Sequence, residues 1–112
     1  MLYLIVREYL TVADRSPFNE WLQGLRDLKA RARIRTRLDR LSLGNKGDYA
    51  RVGDGVFELR FFFGPGYRVY YGLEDDTKVV LLGGGTKDTQ QRDIRIAKVY
   101  WKDYKRRNNG NK

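Results

Sequence analysis

Apolar and polar positions along the chain mark out its elements. Residues 2–9, LYLIVREY, are dense in β-branched and aromatic side chains and predict an opening strand. Ser16-Pro17 then reads as a helix start, with serine as N-cap and proline at the first helical position. Phe18, Trp21, Leu22 and Leu25 follow at i, i+3, i+4 and i+7, one apolar helix face. Residues 28–41 predict a second helix, with Ile34, Leu38 and Leu41 inward and Lys29, Arg31, Arg33, Arg35, Arg37 and Arg40 coating the rest. The two pack as a helical hairpin, and GNKGD (44–48) closes the second in a loop. Residues 56–63, 67–73 and 78–82 read as three strands joined by GPG and EDDT, an antiparallel meander. Residues 88–107 form a last helix, with Asp88-Thr89 as cap candidates and a stripe of Ile94, Ala97, Trp101 and Tyr104. Residues 108–112 are expected to fray.

The expected fold is α+β, one domain over 1–107 in the order β-α-α-β-β-β-α, a twisted antiparallel sheet with a helical hairpin and a C-terminal helix. The helices are expected to cover one face of the sheet, leaving the other open. Strand alternation puts Phe57, Leu59, Phe61 and Phe63 on the core face with Tyr67, Val69, Tyr71 and Leu73. Glu58, Arg60, Arg68 and Tyr70 fall on the second face. A three-residue loop at Gly64-Pro65-Gly66 would set Arg60 opposite Tyr70 and Phe62 opposite Arg68, making Arg60 and Arg68 diagonal neighbours. Two close guanidiniums need an anion between them: either Glu58, as an ion-pair cluster, or a bound phosphate.

Charge narrows the partners. In 112 residues, 23 Lys and Arg stand against 14 Asp and Glu, a net charge of +9, which points to a polyanion such as RNA, DNA or the ribosome. Cysteine and histidine are both absent, which excludes disulfides and thiolate metal sites and removes the commonest general acid/base. Arg7 and Glu8 interrupt the apolar start, so 1–13 reads as a strand and not a signal peptide or membrane span, and a cytoplasmic protein is expected. GGGTKD (83–88) lies between a strand and a helix but lacks the G-x-x-x-x-G-K-[ST] spacing, which argues against nucleotide hydrolysis. Lys87, at a strand end beside a helix N-terminus, is well placed to bind phosphate.

ELR (58–60), GPGYRVYY (64–71) and GGGTKDTQQRDI (83–94), with W-L-x-x-L (21–25) and GNKGD…VGDGVFELR (44–60), resemble the RelE/HigB-like toxins of type II toxin–antitoxin systems, in the phage-derived addiction module killer protein branch. The resemblance covers nearly the whole chain. It implies a twisted sheet flanked by helices and a metal-independent endoribonuclease that cleaves mRNA on the ribosome and inhibits translation, with no cofactor. Its implied partner is a cognate antitoxin, often a helix-turn-helix protein, with no membrane involved. By motif, Arg68 matches the arginine that contacts the scissile phosphate, Lys87 a basic site position and Arg60 the basic strand position. Where relatives carry a tyrosine or histidine, this chain has Gln90 to Asp93 and neither residue, so the acid/base candidates are Lys87, a lysine among arginines that could serve as base, and Tyr70, Glu58 and Asp93. Arg33, Arg37, Lys46, Arg95 and Lys98 are candidate RNA contacts. Two other readings stay open: a ParE-like gyrase inhibitor, and a non-catalytic RNA- or ribosome-binding module in which Phe62 and Tyr70 stack on bases. The last helix's apolar stripe is core or an antitoxin dock.

Overall fold

The computed structural model describes residues 3–109. Its elements run β1 (Ile5–Glu8), α1 (Pro17–Gln23), α2 (Leu28–Ser42), β2 (Tyr49–Gly53), β3 (Val56–Arg60), β4 (Tyr67–Glu74), β5 (Lys78–Thr86), a 3₁₀ turn at Lys87–Thr89, and α3 (Gln90–Asn109). The expected α+β class holds. The sheet has five strands in the order β1-β5-β4-β3-β2, antiparallel except where β1 runs parallel to β5. The expected frayed tail is helical through Asn109, and 110–112 lie outside the described residues.

Local chemistry explains the helix starts. Ser16 Oγ accepts the Asn19 N–H at 3.0 Å, with Pro17 at the first helical position as expected. Asp27 Oδ1 caps α2 by accepting the N–H groups of Lys29 and Ala30 at 3.0 and 3.1 Å.

Three expectations change. First, Tyr49–Gly53 is an added edge strand, β2, paired antiparallel with β3. Second, α1 and α2 cover one face of the sheet but α3 covers the other. Phe18, Leu22, Ile34 and Leu41 pack with Leu59, Val69, Tyr71 and Leu81 on the first side. Ala97, Trp101 and Tyr104 pack with Val56, Tyr70, Val80 and Leu82 on the second. The face expected to be open is a second core, because α3's apolar stripe buries against it. Third, β3 ends at Arg60. The Gly66 N–H reaches the Phe63 carbonyl at 3.1 Å, a tight turn that places Phe62 and Phe63 in the loop. The register moves by two residues, so Arg60 pairs directly with Arg68, and Glu58 with Tyr70.

The glycine run is strand, not loop. Gly83, Gly84 and Gly85 pair with Tyr70, Val69 and Arg68, after a bulge at which Leu82 is the extra residue. The lack of a side chain has a physical reason at two of them. A Cβ on Gly84 would stand 2.2 Å from the Trp21 ring, and one on Gly85 would stand 1.9 Å from Asp93 Oδ2. The run lets α1 and α3 press onto opposite faces of one strand.

Candidate functional site

The site lies at the end of the sheet where β3 and β4 turn. Arg60 and Arg68 face each other across the strands on the α3 side. The Arg60 side chain is 38% exposed, and its Nη2 donates to Asp48 Oδ1 at 3.0 Å. Arg68 is 6% exposed. Its Nη1 donates to the carbonyls of Gly66 and Tyr67, both at 3.1 Å, and its Nε lies 3.8 Å from Glu58 Oε1. Glu58 is 1% exposed, and its Oε2 accepts from Gln90 Nε2 at 2.7 Å. The alternative between an ion pair and a bound anion is thus partly decided by packing. Glu58 holds Arg68 in the interior, and Gln90, from the first turn of α3, orients Glu58. The Nε atoms of both arginines are buried with no hydrogen-bond partner among the described residues, so each retains an unused donor.

Lys87 joins this corner through its backbone. Its N–H donates to the Gly66 carbonyl at 2.9 Å, the same carbonyl that Arg68 Nη1 reaches. The Lys87 side chain is exposed and, with Gln91 and Arg92, lines a shallow groove over the first turn of α3. One exposed cation, Lys87, is therefore tied to the buried Arg68 through a shared carbonyl.

Asp93, on the inward face of α3, and Tyr70, on β4, lie between that helix and the sheet. Asp93 Oδ2 accepts from Thr89 Oγ1 at 2.5 Å, and Arg92 approaches Oδ1 at 3.4 Å. The Tyr70 hydroxyl is buried with no hydrogen-bond partner among the described residues. Burial first, and then the nearby Glu58 and Asp93 carboxylates, push its pKa up, so it stays protonated at neutral pH. Glu58 is sealed from solvent, which counts against it as a group that meets a substrate directly, whereas Asp93 also lines a small cavity between α1 and α3.

The five candidate RNA contacts do not form one surface. Arg33 and Arg37 lie on α2, Lys46 lies in the loop before β2, and Arg95 and Lys98 lie on α3, across the sheet. Arg37 is committed to structure: its Nη1 donates to the Arg60 carbonyl at 3.0 Å and its Nη2 to the Asp48 carbonyl at 2.7 Å. Burial lowers the Arg37 pKa, and the Asp48 charge partly offsets that. Lys98 pairs with Asp54 at 3.7 Å. Arg33 lies over the Phe63 ring at 4.7 Å, beside the exposed Phe62. Sequence reasoning missed Asp48, Thr89, Gln90 and Arg92. Their only signal was position, in the loop before an unseen strand and in the helical turns that follow Lys87.

No helix among the described residues is long and apolar enough to cross a membrane. Over 82 residues the chain is 49% identical to an uncharacterized protein of Haemophilus influenzae, a match that spans 73% of this chain and 83% of that protein. The family described as "Phage derived protein Gp49-like (DUF891)" matches residues 20–103, from α1 to near the end of α3 and including every residue of the corner. The chain belongs to this phage-derived Gp49-like family.

Proposed function

We propose that the protein is the toxin of a toxin–antitoxin pair and acts as an RNA endonuclease. The observation that carries this reading is the cross-strand pairing of Arg60 with Arg68 at the corner that Lys87 joins through Gly66. A phosphodiester at this corner would meet cations from three segments. In the reaction the substrate's 2′-hydroxyl attacks the adjacent phosphorus. The 5′-oxygen of the next nucleotide leaves, and a 2′,3′-cyclic phosphate remains. Negative charge builds on the non-bridging oxygens, and fixed cations lower that barrier more than they favour the ground state. Arg68 suits this role because its fork is held rigid by two carbonyls and by Glu58. Glu58 acts through Arg68 and is a positioning residue. Lys87, exposed and joined to the corner through its backbone, would carry the proton exchanged with the 2′- or 5′-oxygen.

The ribosome would supply substrate orientation that so small a site cannot provide alone. The antitoxin would neutralise the toxin by covering the basic corner. Induced expression of wild type and Arg68→Ala, with mRNA 5′ ends mapped, tests the reading. The expected result is growth arrest with new ends inside translated codons for wild type and neither for a folded Arg68→Ala protein. Arrest without new ends would overturn the nuclease reading and bring forward a target such as gyrase.

A further inference from the structure

Beyond the cationic corner, β5 has an incomplete edge. β1 pairs with β5 only from Lys78 to Leu81, and the Tyr9 N–H to the Leu81 carbonyl, at 2.9 Å, ends the ladder. Past Leu81 no strand of the described residues continues on that side, so the alternate backbone groups of 82–86 that do not pair with β4 have no strand partner there. A cavity of about 140 Å³ opens there between α1 and α3. Its aromatic walls are Trp21 and Tyr100, its floor is Gly83 and Gly84, and Tyr70 and Asp93 supply its polar groups.

Four features make it a built site. Tyr100 stacks on Tyr9 at 4.9 Å, and Trp21 meets Tyr67 edge-on at 6.2 Å, so both walls are held by other rings. Tyr70 is fully buried, yet its hydroxyl has no hydrogen-bond partner among the described residues. The Asp93 carboxylate accepts from Thr89 at Oδ2 and, at a longer 3.4 Å, from Arg92 at Oδ1, and its two oxygens can accept more than these. A Cβ on Gly83 would meet nothing within 4 Å, so open space reaches the floor of the sheet. For size, a cavity of about 150 Å³ holds one benzene ring. The volume therefore fits one six-membered ring, well short of the roughly 300 Å³ at which drug-sized pockets begin.

We infer that this cavity binds a single unpaired cytosine of the RNA, an inference that rests on the RNA-cleaving reading of the neighbouring corner. Flat aromatic walls stack on a base, and one ring's volume selects a pyrimidine. A carboxylate accepts from the exocyclic amino group of cytosine, which uracil lacks, and a tyrosine hydroxyl donates to the ring's acceptors. Gly83 and Lys87 are four residues apart on one segment, roughly 13 Å at strand spacing, so base and cleavage site belong to one short stretch of RNA. The cavity would set which base stands near the cut.

Gly83→Val provides the test, because a Cβ at Gly83 meets nothing within 4 Å and its methyls would enter the cavity. The probes are 2′-O-methyl RNA octamers, which cannot supply a nucleophilic hydroxyl, with one cytosine replaced in turn by uracil or by an abasic site. For wild type, one position is expected to weaken binding about tenfold when abasic, with a smaller loss for uracil. Gly83→Val should bind all octamers alike with an unchanged unfolding midpoint. Gly83→Ala and Tyr70→Phe, the second removing only the donor, should lose part of the discrimination and serve should Gly83→Val fold poorly. Equal wild-type binding to intact and abasic octamers would overturn the inference while leaving cleavage at the corner standing. So would Gly83→Val that keeps RNA discrimination but no longer binds the antitoxin, which would make the open edge a strand-addition site.

Discussion

The two faces of the sheet are built on different principles. Against α1 and α2 the buried side chains are almost all hydrocarbon: Phe18, Leu22, Ile34, Leu41, Leu59, Val69 and Leu81. Against α3 the apolar part is smaller, and at one end it gives way to Glu58, Arg68, Tyr70 and Asp93, all nearly sealed from water. An apolar face gains stability roughly in proportion to area and tolerates conservative exchange. A buried charged cluster gains little net stability, since desolvation offsets the Coulomb attraction, but losing one partner is costly. The α3 face thus trades packing for a guanidinium fixed in direction at the sheet's corner. Such an arrangement has little structural advantage over a hydrocarbon core and an evident one for stabilising a developing phosphate charge.

Removing one charge should break this contrast most visibly. Glu58→Ala leaves Arg68 buried beside a cavity and is expected to lower stability by about 3–5 kcal/mol. The double replacement Glu58→Leu with Arg68→Met should restore most of that loss while leaving the protein inactive. Denaturant melts of Glu58→Leu, Arg68→Met and the double, set in a double-mutant cycle, would show the coupling. If Glu58→Ala is no more harmful than an exposed substitution, the ion pair is not holding Arg68 and the positioning role for Glu58 fails.

The same contrast explains what could be read from the sequence. The α1 and α2 face follows from periodicity alone, since Ile34, Leu38 and Leu41 recur at helical spacing and Leu59 and Phe61 at strand spacing. The stripe of α3 was equally plain, but not what it packs on, because both sheet faces carried apolar residues at strand spacing. The two-residue register error had a local cause. Phe62 and Phe63 have strand-like side chains, and only the turn closed by the Gly66 N–H takes them out of the ladder. β2 escaped notice because Tyr49–Gly53 is a short edge strand with no run of apolar residues. At the corner, Arg68, Lys87 and Arg60 were legible as motif positions. Gln90 and Thr89 were not, since their roles depend on where the first turn of α3 lands over β5.

A sharper probe is the pair of neighbouring glycines on β5. Gly85→Ala must displace the Asp93 carboxylate and is expected to cost about 1–3 kcal/mol through overpacking. Gly83→Ala, two residues earlier on the same face, meets open space and should change the unfolding midpoint little. Parallel thermal melts of the two check this. Equal losses would mean that both positions resist a side chain for backbone reasons, and the close approach of α3 to Gly85 would not be the cause.

The smallest effect at neutral pH, and the most informative about environment, belongs to the adjacent tyrosines that point to opposite faces. Tyr71, in the apolar core, has its pKa raised to about 12, chiefly by burial. Tyr70 is raised as well, by burial and by the carboxylates of Glu58 and Asp93. In the unfolded chain both would ionise near 10. Between that value and the folded one, the native state holds protons that the unfolded state has released. Each tyrosine's contribution is therefore complete below pH 10 and falls as pH rises through the folded pKa, with a slope of at most about 1.4 kcal/mol per pH unit. At pH 7, Tyr70→Phe removes a hydroxyl with no partner and should shift stability by less than about 1 kcal/mol. Above pH 10 the same variant should lose stability less steeply than wild type, as should Tyr71→Phe. Urea titrations from pH 8 to 11.5 on the three proteins read out the slopes. If Tyr70→Phe is strongly destabilised at pH 7, its hydroxyl is holding the charged cluster together, and the division between an apolar face and a polar one would run through Tyr70 itself.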